Sequence, residues 1–134
     1  MTSADTAYLD ASAALKLVMR EPETPALRRD LTRWRKMASS ALLRVEVVRA
    51  VRRAGLPGFL GEARRQLADI YLIGLDNDVL ERAAVLDPTS VRSLDAIHLA
   101  AALSLGPALG AVLTYDERMS AAARDLGLPV RSPR

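Results

Sequence analysis

Short apolar runs alternate with segments of helical spacing along nearly the whole chain. This alternation constrains the fold more than any other feature of the 134-residue sequence. Ala7-Tyr8-Leu9 is one such run and stops at Asp10, after which Ala13, Leu15, Leu17 and Val18 predict a helix over residues 12–19. Glu21-Pro22-Glu23 is a break. Thr24-Pro25 then predicts a helix start, with Thr24 as N-cap and Pro25 at the first helical position. That helix carries Leu27, Leu31 and Trp34 inward and Arg28, Arg29, Arg33 and Arg35 outward. Met37-Ala38-Ser39 reads as a second strand, followed by a long helix over residues 41–54 that Gly55-Leu56-Pro57-Gly58 ends sharply.

A further helix is predicted over residues 59–69, then a buried strand over 70–75 that ends at Asp76-Asn77. Residues 79–86 are helical in pattern and are closed by Asp87-Pro88-Thr89. Ser93 is expected to cap a helix that runs through Leu103 to Gly106-Pro107. Ala111-Val112-Leu113 is a short strand ending in Thr114-Tyr115-Asp116, residues 118–126 are helical, and Leu128-Pro129-Val130 reads as a last edge strand. There is no internal repeat and no low-complexity linker. Short strands alternating with helices indicate an α/β fold with a mainly parallel sheet and helices on both faces. At this length, residues 1–134 read as one domain with a real core. Ligands of such sheets bind beyond the carboxyl ends of the strands, where Asp10 and Asp116 fall.

The residue inventory narrows the chemistry further. The chain has no Cys, and His98 is its only histidine. Thiolate catalysis, disulfides, Cys/His zinc sites and any site needing two histidines are thereby excluded. Carboxylates, hydroxyls, Arg and Lys remain, and sets of carboxylates recruit hard cations such as Mg²⁺ or Mn²⁺. The formal net charge is +3, and Lys16 and Lys36 are the only lysines beside many arginines. The balance is compatible with a nucleic-acid or acidic protein partner, and equally with a plain compositional preference for Arg. No apolar run approaches the roughly 20 residues of a membrane span. Residues 1–5 lack the basic and apolar regions of a secretory signal, so a cytoplasmic protein is expected.

Four acids stand out, each with an ordinary structural alternative. Asp10 and Asp116 follow strands and precede helices, where an Asp also serves as a cap. Glu46 borders the apolar face of its helix, where an ion pair with Arg49 explains it as well as a metal site does. Asp95 lies in the first turn of its helix, aligned with Leu99 and Ala102. The helix dipole explains an acid there, and explains its inward alignment less well. Ser12 and Thr114 are hydroxyls placed to hydrogen-bond an acid or to cap. Carboxylates gathered at one place repel one another unless a divalent cation neutralises them. Such a cation activates water and stabilises charge on an attacked phosphodiester. His98, one turn after Asp95, reads as a core or rim histidine.

In sequence order, four blocks resemble the successive acidic blocks of PIN domains. They are Tyr8-Leu9-Asp10-Ala11-Ser12-Ala13, Ser39-Ser40-Ala41-Leu42-Leu43-Arg44-Val45-Glu46, Ser93-Leu94-Asp95-Ala96-Ile97-His98-Leu99-Ala100 and Leu113-Thr114-Tyr115-Asp116-Glu117-Arg118-Met119. The third and fourth are especially similar to those of VapC toxins. The resemblance spans essentially the whole chain and implies a Rossmann-like three-layer α/β/α sandwich. It implies Mg²⁺-dependent cleavage of RNA, with Mn²⁺ as a substitute, by a water nucleophile that leaves a 5′-phosphate and a 3′-hydroxyl. It also implies a homodimer and a VapB-type antitoxin that occludes the site. Asp10, Glu46, Asp95 and Asp116 match the family acids, with Ser12 and Thr114 as supporting hydroxyls.

Two other readings stand beside this one. The first is a non-catalytic PIN-like module that binds a partner or nucleic acid. The second is a receiver-type or haloacid-dehalogenase-type phosphoryl-transfer domain, against which the first strand ends in Asp10-Ala11-Ser12 instead of paired acids, and no lysine follows the strand ending at Leu113. The arginines Arg28, Arg29, Arg33, Arg49, Arg52 and Arg53 are expected to add nonspecific phosphate contacts, or equally to form a solvated face or a grip on the antitoxin.

Overall fold

The computed structural model describes residues 4–134, so the reading of the first three residues lies outside it. Five strands form one sheet: β1 (Thr6–Leu9), β2 (Lys36–Ser40), β3 (Tyr71–Ile73), β4 (Leu109–Leu113) and β5 (Val130–Arg131). Their order is β3-β2-β1-β4-β5, and every pairing is parallel. The helices are α1 (Ala11–Val18), α2 (Thr24–Leu31), α3 (Leu43–Arg53), α4 (Leu60–Ala68), α5 (Asn77–Ala84), α6 (Ser93–Leu103) and α7 (Glu117–Asp125).

The chain winds outward from β1 through β2 to β3, then returns across the sheet to place β4 on the other side of β1. That reversal puts the topological switch point between the carboxyl ends of β1 and β4, where neighbouring connections leave in opposite directions and open a crevice. Side-chain alternation along the strands separates the two faces. Ala7, Leu9, Ala111 and Leu113 pack with Ala13 and Leu17 of α1 and Leu27 of α2. Tyr8, Ala38, Ile73 and Val112 pack with Ala101 and Ala102 of α6. These two apolar layers make the predicted sandwich. Further apolar packing joins α1 to α3 and α4 through Ala14, Val18, Val47 and Ala63, and joins α6 to α7 through Leu99, Met119 and Ala123.

The expected elements all appear, with local differences. Thr24 is not an N-cap but the first residue of α2. Its hydroxyl donates to the Lys16 carbonyl at 2.7 Å and accepts from the Glu21 amide at 2.9 Å, so it ties the preceding turn instead. Helix α2 ends at Leu31, leaving Trp34 beyond it in the approach to β2. Ser93 likewise opens α6 without capping it. Strand β3 is shorter than the apolar run suggests and lies at the sheet edge, with Tyr71 68% exposed and only its far end, Ile73, buried. Gly110 in β4 is required by close approach: a Cβ there would collide with the Trp34 indole and sit 2.9 Å from the Ala4 carbonyl oxygen.

Candidate active site

Asp10 emerges from the end of β1 directly into α1 and is almost completely buried. Its Oδ1 accepts from the Ala13 amide at 3.0 Å, the N-cap interaction, and from the Ser12 hydroxyl at 2.6 Å. Its Oδ2 accepts from the Thr114 hydroxyl at 2.5 Å. The cap and the buried polar site are therefore the same residue. Burial pushes the Asp10 carboxyl above the usual carboxylate range; Ser12, Thr114, the Ala13 amide and nearby His98 pull it part of the way back.

The turn after β4 is locked onto this carboxylate. Thr114 Oγ1 accepts from the Asp116 amide at 3.1 Å and lies 3.3 Å from Ser12 Oγ, which accepts from the Tyr115 amide at 2.8 Å. Both expected hydroxyls thus bridge the ends of the two central strands, and neither serves as a helix cap. Asp116 is the N-cap of α7, its Oδ1 accepting from the amides of Arg118 at 2.8 Å and Met119 at 3.3 Å.

Asp95 sits in the first turn of α6, partly buried. Burial raises its carboxyl first, and the negative charges of Asp116, Asp10 and Glu46 raise it further, while His98 opposes them. The sign of those effects puts Asp116, Asp10 and Glu46 within electrostatic reach of Asp95. Among the described residues, no three acidic or histidine side chains draw together as a closed metal cage. The donor set nevertheless suits a hard divalent cation: every donor is a carboxylate or hydroxyl oxygen, and the mutual repulsion felt at Asp95 is what such a cation relieves.

Glu46 lies in the first turn of α3, and the i,i+3 ion pair with Arg49 does not form. Its Oε1 lies 2.7 Å from Nε2 of His98, which reaches it from α6. The other ring nitrogen, Nδ1, lies 2.7 Å from the Tyr8 hydroxyl on β1. The histidine read from sequence as a core or rim residue is indeed buried, and it also holds one of the four acids. The available signal was its position one turn after Asp95; its contact with Glu46 spans 52 residues and has no local signature.

Comparison with known proteins agrees with this architecture. The sequence pattern that defines the PIN domain matches residues 7–125. The chain is 48% identical over 126 residues to Ribonuclease VapC46 of Mycobacterium tuberculosis, covering 94% of this chain and 96% of that protein. It is 42% identical over 130 residues to Ribonuclease VapC47 of the same species, with the same coverage of 94% and 96%. Among solved structures, it resembles a toxin–antitoxin complex from Klebsiella pneumoniae (TM-score 0.68, 20% identity, covering 96% of this chain and 98% of that one). It also resembles Mycobacterium tuberculosis VapC20, a sarcin–ricin loop cleaving toxin (TM-score 0.69, 17% identity, covering 87% and 94%). With a five-stranded parallel sheet in switch-point order and a matching pattern over most of its length, this chain belongs to the PIN domain family.

Proposed function

We propose that the chain is a divalent-cation-dependent endoribonuclease of the VapC toxin class, acting through Asp10, Glu46, Asp95 and Asp116. The observation that carries this reading is Asp10, a nearly buried carboxylate at the switch point, held by two hydroxyls and an amide, whose charge is felt at Asp95 together with those of Asp116 and Glu46. A cap alone needs one amide contact. It does not need two hydroxyls from different strand ends, nor neighbours of its own sign.

The four carboxylates would hold Mg²⁺, with Mn²⁺ as a substitute. When bound, such a cation supplies positive charge to an attacked phosphodiester and makes water a better nucleophile. The chain's own residues prepare that site. Ser12 and Thr114 orient Asp10 and favour its ionised form against its burial. His98 holds one oxygen of Glu46 and leaves Oε2 without a hydrogen bond among the described residues. The amides opening α7 fix Asp116. Hydrolysis is expected to leave a 5′-phosphate and a 3′-hydroxyl.

RNA as substrate is supported by the two relatives that share over 40% identity across nearly their whole length and are named ribonucleases. A VapB-type antitoxin that occludes the site is supported by the toxin–antitoxin complex among the structural neighbours. We further propose that residues 1–134 act as one PIN domain, as a homodimer in the cytoplasm. None of the helices among the described residues is long and apolar enough to cross a membrane.

The test is cleavage of a mixed RNA pool with and without Mg²⁺ or Mn²⁺, after removal of any copurified partner, comparing wild type with Asp10→Ala and Asp95→Ala. Metal-dependent cleavage lost in both folded variants supports the reading. A binding module of the same fold draws its support from the lack of a closed three-donor cage among the described residues. A folded wild type that takes up the cation but cuts no RNA class decides for that module.

A further inference from the structure

We propose that His98 is a positioning residue that fixes Glu46 for divalent-cation binding, with Tyr8 as the anchor that fixes His98. The inference rests on the reading of the four acids as a cation site.

Glu46 differs from the other acids in how it is held. Asp10 and Asp116 are short side chains capping helices, each secured by backbone amides next to it in sequence. Glu46 is long, sits on a helix flank and has no backbone partner; its hydrogen bond among the described residues is the one to His98. Without that bond a glutamate visits many rotamers, and ordering it on cation binding costs affinity. The imidazole removes that freedom in advance.

His98 is suited to this because it has no freedom of its own. Its side chain is 3% exposed and packs edge-on against the Tyr8 ring, with centroids 5.8 Å apart at 80°. Both ring nitrogens are engaged, at 2.7 Å each. A carboxylate only accepts, so Nε2 carries the proton toward Glu46. Nδ1 faces the Tyr8 hydroxyl, which can donate or accept, so this nitrogen is paired whichever way its proton lies. The chain Tyr8 to His98 to Glu46 therefore leaves neither ring nitrogen free to turn away. It links β1 in the middle of the sheet to α3 through α6, and it engages a single oxygen of Glu46. Outer partners that orient a ligating carboxylate act in this way.

Two substitutions separate positioning from packing. In His98→Gln the side-chain amide nitrogen takes the place of Nε2 and still reaches Glu46. In His98→Asn it takes the place of Nδ1 and does not. Mn²⁺ affinity is measured by calorimetry on the free protein, alongside melting temperature and RNA cleavage. His98→Asn is expected to bind Mn²⁺ about 10- to 100-fold more weakly, with KM for RNA unchanged and kcat recovered at high Mn²⁺. His98→Gln is expected to bind close to wild type at a similar melting temperature. Tyr8→Phe, which keeps the packing and removes the hydroxyl, is expected to weaken Mn²⁺ binding too, and it carries the test if His98→Asn does not fold. Equal loss in the Asn and Gln variants, or wild-type affinity in both Asn and Phe variants, overturns the proposal while leaving the acidic site standing. A folded wild type that binds no Mn²⁺ and cuts no RNA overturns the site itself, and this proposal with it.

Discussion

Replacing Thr114 by valine keeps the shape of a fully buried side chain and deletes one hydroxyl. That hydroxyl donates to Asp10 Oδ2 at 2.5 Å and accepts from the Asp116 amide at 3.1 Å. A hydrogen bond to a charged group contributes about 1.5–3 kcal/mol, and the carboxylate oxygen left behind stays buried. We therefore expect a loss of about 2 kcal/mol at neutral pH. An unfolding entropy of about 2.1 cal/mol/K per residue gives roughly 0.28 kcal/mol/K for 134 residues, so the melting temperature should fall by about 7 °C. The sign with pH follows from Asp10. The Thr114 hydroxyl favours the ionised carboxyl, so its contribution is present while Asp10 is ionised and disappears as pH falls through the raised pKa of that group. Urea unfolding of wild type, Thr114→Val and Thr114→Ser across that pH range reads the effect directly. Thr114→Ser should recover most of the loss. A valine variant as stable as wild type, or a deficit that does not shrink in acid, would refute the reasoning.

Other substitutions test neighbouring parts of the account. Asp10→Asn should abolish cleavage without lowering stability at neutral pH. A raised folded-state pKa means wild type loses stability as pH rises through it, whereas the amide does not titrate, so denaturant titrations should show a flatter pH profile for the variant. Gly110→Ala should cost about 1–3 kcal/mol by forcing Trp34 and the Ala4 segment apart, measured as a drop in melting temperature. Joint replacement of the exposed arginines Arg49, Arg52 and Arg53 on α3 by alanine should weaken RNA binding and flatten its dependence on salt, because fewer phosphates are neutralised and fewer counterions released. An unchanged salt slope would assign that surface to something other than RNA.

Much of this molecule was legible in its sequence because two kinds of signal are local. The switch between strand-like and helical spacing locates β1, β4 and the helices that follow them, and an acid at the end of each marks the sheet's carboxyl edge. The Ser12 hydroxyl sits two residues from Asp10, so its role as partner of an acid is also close to the surface of the sequence, whereas Thr114 lies two residues from Asp116 but donates to Asp10 across the sheet. What stayed hidden depends on strand order. Only the return of the chain after β3 puts β4 beside β1, and only the packing of α6 on the sheet face that carries Tyr8 brings His98 between Tyr8 and Glu46. Helical spacing made Arg49 the natural partner of Glu46, and a residue 52 positions away took its place. Thr24 and Ser93 looked like caps because their residue types favour caps. At Thr24 the Lys16 carbonyl and the Glu21 amide compete for the same hydroxyl and win.

The central claim is that the acids at the switch point act as one site, and non-additivity tests it most directly. Cleavage of one RNA substrate with Mn²⁺ would be measured for Asp10→Ala, Asp95→Ala and the double variant, all checked for folding. Residues that work as a unit fail together, so each single variant should fall to background and the double variant should lose nothing more. Substantial cleavage by either single variant, or losses that multiply in the double one, would contradict a shared site.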